Sequence, residues 1–407
     1  MASMKAVVYK GPYNMEVETV PKARIQEKTD ALLRVTSGAI CGSDLHMYDG
    51  RTNMEKGRIL GHEIMGIIEE IGDAVTQIKV GDRVVLPFNI SCGCCFTCSQ
   101  GYTNACLTAN PENAGAAYGF AGMGPYEGGQ AQYVRVPYAD ADCLKLPGRA
   151  GDEFEDEFIL LADIFPTAFH STELAKVSIG KSVAIYGAGP VGLLAALSCQ
   201  LKGASEIYVI DGVPERLALV KQLGATPIDY TKGDPVEQIE SLRKHNRLIQ
   251  EAARPGEQKM KGVMCGIDAV GYQAHDESKK ASNESKPDTD KPTQVIEDLT
   301  RLVNPTGTIG IIGVFTPQDP GGIDPHAQKG EYLIPWGQIW EKGIAIGTGQ
   351  APVKKYNYQL RDLIMTGKAK PSLIISHRLP LEGGPDAYAK FDRRVDGYTK
   401  VILKPNG

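Results

Sequence analysis

Short apolar, β-branched runs punctuate the first third of the chain. MKAVVYK, ALLRVTS, IMGIIEEIG, DRVVLPF and AQYVRVP are broken from one another by Gly, Pro, Asp and Asn. Runs of that length with such borders predict strands, and several in succession predict a compact barrel or sandwich with loops. The pattern then lengthens. In GDEFEDEFILLADIFPTAFHSTELA, Phe154, Phe158 and Leu161 recur at helical spacing, with acids near the start where the helix dipole favours them.

From Lys181 onward, strands and helices alternate. SVAIYG leads into helical GPVGLLAALSCQLKG, and EIYVID into helical PERLALVKQLG. GVMCGIDAV and GTIGIIGVF are further strands with a helix over residues 295–303 between them, and GIAIGT closes the series. Such alternation predicts βαβ units and a parallel sheet. A helix over residues 354–366 and strands LIISHR and KVILKP then resemble the first section again. The alternating part therefore reads as an insert: residues 167–348 form one domain, and residues 1–166 and 349–407 the other. The hydrophilic tract at residues 274–292, AHDESKKASNESKPDTDKP, has no periodicity. It reads as a surface loop or, because it follows a strand whose C-terminal end should face a nucleotide crevice, as a lid.

Composition narrows the class. A length of 407 residues exceeds one ordinary core. Hydrophobic content of 42% with 23% charged residues is that of a soluble globular protein. Lys+Arg 44 against Asp+Glu 49 leaves −5, which gives no global bias toward nucleic acid or anionic membrane. The apolar runs around Leu160 and Leu194 are short and interrupted, so no spanning segment is predicted. MASMKAVVYK lacks an apolar signal core and an Arg-rich leader, and a cytosolic location is expected.

Nine cysteines in such a chain rarely mean disulfides. Cys92, Cys95, Cys98 and Cys106 fit Cys-x2-Cys-x2-Cys-x7-Cys. Four thiolates at that spacing can close a tetrahedron around zinc and staple a loop, leaving no open position for chemistry. Cys94 is an extra thiol that could displace Cys95. Cys143, Cys199 and Cys265 sit singly in apolar settings and read as buried small hydrophobes.

A second metal set is dispersed. Cys41 in CGSDLH and His62 in GHE supply two of the three ligands that catalytic zinc requires; a buried thiol and a core histidine are the alternative. The downstream motif favours the metal. Gly187-Ala188-Gly189-Pro190-Val191-Gly192 follows an apolar strand and opens a helix, the context a GxGxxG fingerprint needs. Asp211 ends the next predicted strand, where a carboxylate binds ribose hydroxyls and repels a 2′-phosphate, so NAD is expected rather than NADP. Arg216 would either cover the adenine or be a solvated helix residue.

These residues carry a family likeness. Through GHEIMGIIEEIG, VGDRVVLPF, the four-cysteine lobe and GAGPVG, the chain resembles the zinc-dependent medium-chain alcohol dehydrogenases over essentially its full length. NISCGCCFTC, NPENAGAAYGF, EGGQAQYVRVPYAD, LADIFPTAFH and TGQAPVKKYN look like the glutathione-independent formaldehyde dehydrogenase and formaldehyde dismutase group. The resemblance implies an α/β protein: a GroES-like β-rich catalytic domain carrying two zincs, plus a doubly wound Rossmann domain for NAD. It implies Cys41, His62 and Asp163 as catalytic zinc ligands, Asp163 standing where many relatives have a second cysteine. Glu63 would sit behind the zinc and exchange as a ligand. Ser43 and His46 would relay the proton, a task suited to a hydroxyl and an imidazole. Phe88 would line the substrate pocket, with Tyr126 in GFAGMGPYEGG as the substrate-side aromatic. The implied reaction is hydride transfer from formaldehyde hydrate, or another small aldehyde or alcohol, to NAD. A general primary or secondary alcohol or polyol dehydrogenase is the second reading, and a non-catalytic nucleotide-binding protein the remote one. A homotetramer is implied, with a dimer as the alternative.

Overall fold

The computed structural model describes residues 2–274 and 290–406. The chain divides into two compact units, Met1–Thr167 with Ala351–Gly407, and Ala168–Gln350. In chain order the strands are β1 (Ser3–Gly11), β2 (Asn14–Pro21), β3 (Ala31–Ile40), β4 (Glu63–Ile71), β5 (Arg83–Leu86), β6 (Tyr133–Val136), β7 (Leu144–Lys145), β8 (Ser182–Tyr186), β9 (Glu206–Asp211), β10 (Thr226–Asp229), β11 (Val263–Asp268), β12 (Val303–Ile311), β13 (Ala345–Thr348), β14 (His377–Pro380) and β15 (Val401–Lys404).

In the first unit β1 and β2 pair as a hairpin, and a second sheet runs β14-β15-β3-β4-β5-β7 with β6 also on β3. One core gathers Leu33 and Val35 of β3, Ile64 and Ile68 of β4, and Val84 and Leu86 of β5. Another joins Val7 and Tyr9 to Ile40, Leu403 and the helix Gly384–Arg393 through Tyr388 and Phe391. That helix and β2 lie outside the apolar runs of the sequence, since each mixes polar and apolar positions along its length. LIISHR is corrected as well: Pro371–Ile374 form a tight 3-10 turn and the strand begins only at His377.

The predicted long helix around Phe158 is two helices, Glu155–Ile159 and Ile164–Leu174. Leu161 and Ala162 donate to carbonyls three residues back, those of Phe158 and Ile159, so the path tightens before the second helix starts. Residues 157–166 are all buried, so no exposed position marks the break in the sequence. The break matters because it ends on Asp163.

The second unit is a parallel sheet in the order β10-β9-β8-β11-β12-β13. Numbered within the unit this is 3-2-1-4-5-6, the doubly wound arrangement whose ligand crevice lies where the order reverses, outside the C-terminal ends of β8 and β11. Every residue of β8 is buried, as a strand covered on both faces requires. Most of the polar tract, residues 275–289, lies outside the described residues.

Candidate active site

Strand pairing gathers the dispersed metal set. Ala39 of β3 pairs with Glu63 of β4, and Val401 of β15 pairs with Ile40 of β3. Cys41, His62, Glu63 and Lys400 therefore meet at one end of the sheet, and Asp163 arrives from the helix break. Gly61, at φ +99, makes the approach possible: a Cβ there would stand 2.3 Å from Gln130 Cγ. Ligand atoms of Cys41, His62, Glu63 and Asp163 lie within 4.8 Å of one another, and all four residues are buried. Asp163 Oδ2 is 3.2 Å from His62 Nε2 and accepts from the Cys41 thiol at 3.5 Å. The Thr167 hydroxyl donates to Asp163 Oδ1 at 2.6 Å, so one oxygen is pinned and the other faces the cluster.

The cluster has the electrostatics of a cation site. Burial opposes a charge on His62, yet Asp44 and Asp163 outweigh it and hold the imidazole well above its usual range. Burial likewise disfavours the Asp163 carboxylate, but His62 reverses this and its pKa is lowered. Burial and the neighbouring Asp163 push the Cys41 thiol up. A dication would take over the imidazolium's role, with loss of protons from His62 and Cys41. Glu63 Oε2 is buried with no hydrogen-bond partner among the described residues, an orphan that a cation would satisfy. Thiolate, imidazole and carboxylate are the donors of a three-ligand zinc with one open position, so the residues present fit the metal.

Glu63 is tied back by Lys400, which the sequence reading missed. Lys400 Nζ lies 2.5 Å from Glu63 Oε1 and donates to the Ile40 carbonyl at 3.1 Å, and both charged side chains are fully buried. Ser43 Oγ is 3.4 Å from His62 Nε2. His46 is buried in the short helix Asp44–Tyr48, its backbone N–H on the Ser43 carbonyl at 3.3 Å. Phe88 stands edge-on to His62 with ring centroids 6.0 Å apart. Phe120, also missed, does the same at 5.9 Å. Tyr126 is a correction. Its hydroxyl donates to the Ala109 carbonyl at 2.7 Å and its ring packs with the core that holds Tyr118 and Cys106, so Phe120 is the aromatic of that segment beside His62.

The second cluster comprises Cys92, Cys95, Cys98 and Cys106. Cys95 and Cys106 sulfurs are 3.9 Å apart, near the edge of about 3.8 Å that a Zn–S tetrahedron demands. Backbone N–H groups already point at the sulfurs, Cys95 at Cys92 (3.3 Å) and Leu107 at Cys95 (3.4 Å). Burial raises the Cys95 thiol, but the Thr97 hydroxyl and the Cys98 and Leu107 amides outweigh it and bring it down to about 5. Cys94 is exposed, its sulfur 3.8 Å from that of Cys92.

In the second unit the fingerprint forms the turn from β8 into the helix Pro190–Leu201. A Cβ on Gly192 would lie 1.8 Å from the Gly187 carbonyl oxygen, while one on Gly189 would meet nothing within 4 Å. Gly192 is thus a packing glycine, and Gly189 leaves space at the helix N-terminus, with Pro190 and Val191 in its first turn, where backbone can approach a phosphate. Asp211 Oδ2 accepts from Ala188 N at 2.7 Å, and Oδ1 from Gly212 and Val213 N–H at 2.8 and 2.9 Å. Arg216 is not solvated: its side chain is 12% exposed and lies 3.8 Å from Asp211.

Sequence comparisons bear on both units. Residues 27–148 match the alcohol dehydrogenase GroES-like domain family, and residues 190–281 the zinc-binding dehydrogenase family. A glutathione-independent formaldehyde dehydrogenase from Pseudomonas aeruginosa is 40% identical, covering 100% of this chain and 98% of its own. A formaldehyde dismutase from Pseudomonas putida is 36% identical over 100% and 99% of the two chains. The solved structure of an alcohol dehydrogenase from Thermus sp. ATN1 is 31% identical, with a TM-score of 0.78 over 98% of this chain and 99% of its own.

Proposed function

The chain belongs to the zinc-dependent medium-chain alcohol dehydrogenase family, and on that footing we propose that it oxidises formaldehyde, as its hydrate, to formate with NAD and without glutathione. The observation that carries this reading is the buried Cys41–His62–Asp163 donor set walled by Phe88 and Phe120. Aromatic rings that close to the donors favour a small substrate. Zinc, when bound, supplies Lewis-acid polarisation of the substrate oxygen. Cys41, His62 and Asp163 hold it, and Glu63, paired with Lys400, stands behind as an alternative ligand. Ser43 receives the hydroxyl proton and passes it toward His46 and solvent. The hydrate gives a hydride to NAD and a proton to the relay, which leaves formic acid. Gly187, Gly189, Pro190, Val191 and Gly192 cradle the dinucleotide phosphates, and Asp211, steadied by Arg216, takes the ribose hydroxyls. Cys92, Cys95, Cys98 and Cys106 hold the second zinc of the chain.

Residues 1–166 and 349–407 would carry both metals, and residues 167–348 the dinucleotide. We assign the protein to the cytosol, where unpaired cysteines persist, and to a homotetramer or dimer. Leu333, Trp336 and Trp340, exposed by 71%, 63% and 78%, support an interface. No helix among the described residues is long and apolar enough to cross a membrane. A substrate panel tests the reading: kcat/KM for formaldehyde, primary and secondary alcohols and a polyol, with NAD and NADP and no glutathione. Formaldehyde with NAD should lead. A polyol or secondary alcohol ahead of formaldehyde would overturn the substrate, and equal efficiency with both cofactors would overturn the role of Asp211.

A further inference from the structure

Behind His62 a buried polar chain runs away from the metal cluster to the C-terminal helix Gly384–Arg393. Asp44, Gln130 and Tyr388 have no exposed surface. Asp44 Oδ1 lies 3.1 Å from His62 Nδ1. Asp44 Oδ2 accepts from the backbone N–H of Cys41 at 3.0 Å and from Gln130 Nε2 at 3.4 Å. Gln130 Nε2 also donates to the Ala39 carbonyl at 3.0 Å, and its Oε1 accepts from the Tyr388 hydroxyl at 2.8 Å. The amide orientation is fixed by its partners: two acceptors face the NH2 group, and the one donor faces the oxygen. The Gln130 backbone is itself locked, its N–H on the Leu60 carbonyl and its own carbonyl on the Val7 N–H. Its side chain fills the space that Gly61 leaves open beside His62.

We propose that Gln130 and Tyr388 are positioning residues for the catalytic metal, holding Asp44 so that one carboxylate orients His62 and the Cys41 turn together. The inference rests on Cys41, His62 and Asp163 being the zinc ligands. With Asp44 3.1 Å from Nδ1, a metal-bound imidazole would keep its proton on that side and present Nε2 to the cluster, where Asp163 lies 3.2 Å away. A carboxylate that serves two ligand-bearing segments must not rotate. Rotation of Asp44 would trade the Cys41 amide against His62, and the Gln130 amide on Oδ2 opposes that exchange. The Ala39 carbonyl and Asp44 forbid a flipped amide, whose oxygen would face both, and the Tyr388 hydroxyl on Oε1 holds the amide in place from the other side. Burial keeps the Tyr388 phenol well above its usual range, so the hydroxyl remains a donor. Its ring, 5.5 Å from that of Tyr48, is packed rather than free to swing.

The test uses the zinc-loaded protein and a colorimetric chelator, read as two release phases, with the four-thiolate zinc as internal control. Outer-shell partners of metal-bound histidines change affinity by about 10–100-fold, so Asp44→Asn should speed the fast phase within that range, and Gln130→Met and Tyr388→Phe by roughly 3–10-fold. The slow phase should stay near wild type. Asp44→Asn with Gln130→Met should release no faster than Asp44→Asn alone, since both act through one carboxylate. Cobalt substituted at the labile site should show an altered visible spectrum in Tyr388→Phe. Should Gln130→Met fail to fold, Tyr388→Phe carries the same prediction. Wild-type fast phases in the variants that fold, or equal acceleration of both phases, would overturn the proposal. A single zinc class in the wild-type protein would instead remove the ligand assignment beneath it.

Discussion

Asp163 divides its work between two oxygens, one bonded to Thr167 and one turned to His62 and Cys41. A hydroxyl bond of that kind fixes a carboxylate rotamer, so the inward oxygen is ready for a metal before one binds. Asp163→Ala should therefore lower turnover by at least about 100-fold and empty the labile zinc site. Asp163→Cys should keep part of both, because a thiolate restores the donor common in the wider family. Rates and zinc content of the two variants check this; wild-type turnover in Asp163→Ala would point to Glu63 as third ligand. Cys41 and His62 became readable as candidate ligands only with the downstream glycine motif beside them, whereas Asp163 was reached only through family likeness. Lys400 gave no signal at all, because 337 residues separate it from Glu63 and only the β15–β3 pairing joins them. Tyr126 misled for a different reason. Aromatic residues in one loop cannot be told apart by spacing, and the loop sends Phe120 to His62 and Tyr126 to the opposite core.

At the scale of elements, the β8 turn separates two kinds of glycine. Gly192→Ala puts a methyl 1.8 Å from a carbonyl oxygen and should lower the Tm markedly, whereas Gly189→Ala has room and should fold with a Tm near wild type. Its methyl would occupy the phosphate approach, so NAD affinity, read by NADH fluorescence titration, should fall about 10-fold or more. Unchanged affinity in Gly189→Ala would show that the dinucleotide does not lie over this turn. The helix Glu155–Ile159 is tied to the sheet by Glu155, which accepts from Ser37 Oγ at 2.6 Å and from Gly151 N at 3.1 Å and pairs with Arg83 at 2.5 Å. Burial would raise its pKa, but the Ser37 and Gly151 bonds win and lower it. A depressed carboxylate stabilises the fold above its unfolded value of about 4.3 and loses that contribution as pH falls through the folded value. Glu155→Gln should cost roughly 1–3 kcal/mol near neutrality, and its Tm deficit should shrink on acidification. A deficit constant with pH would contradict the linkage. Periodicity made the βαβ strands and helices readable, while the helix break before Asp163 stayed hidden because every position around it is buried.

Across the whole molecule the two metal clusters differ in kind. Four thiolates would close the coordination of a zinc, whereas Cys41, His62 and Asp163 would leave one position open. Metal analysis should find two zincs per chain, and brief chelation should remove one of them with most of the activity while circular dichroism stays near native. One zinc or none in active protein would contradict this. The four-cysteine spacing and the glycine fingerprint made the chemistry legible from local sequence. The C-terminal return was legible as strands, yet Lys400 and Tyr388, which it delivers to Glu63 and Gln130, were not, since their partners are set by sheet order and helix packing. The central claim is that this chain converts formaldehyde to formate by itself. Its most direct test is NMR of isotopically labelled formaldehyde incubated with the zinc-loaded protein and NAD, with no glutathione present. The account predicts labelled formate, balanced by NADH or, if the cofactor is recycled on a second aldehyde, by labelled methanol. Formaldehyde left unconverted by protein holding both zincs and NAD would contradict it.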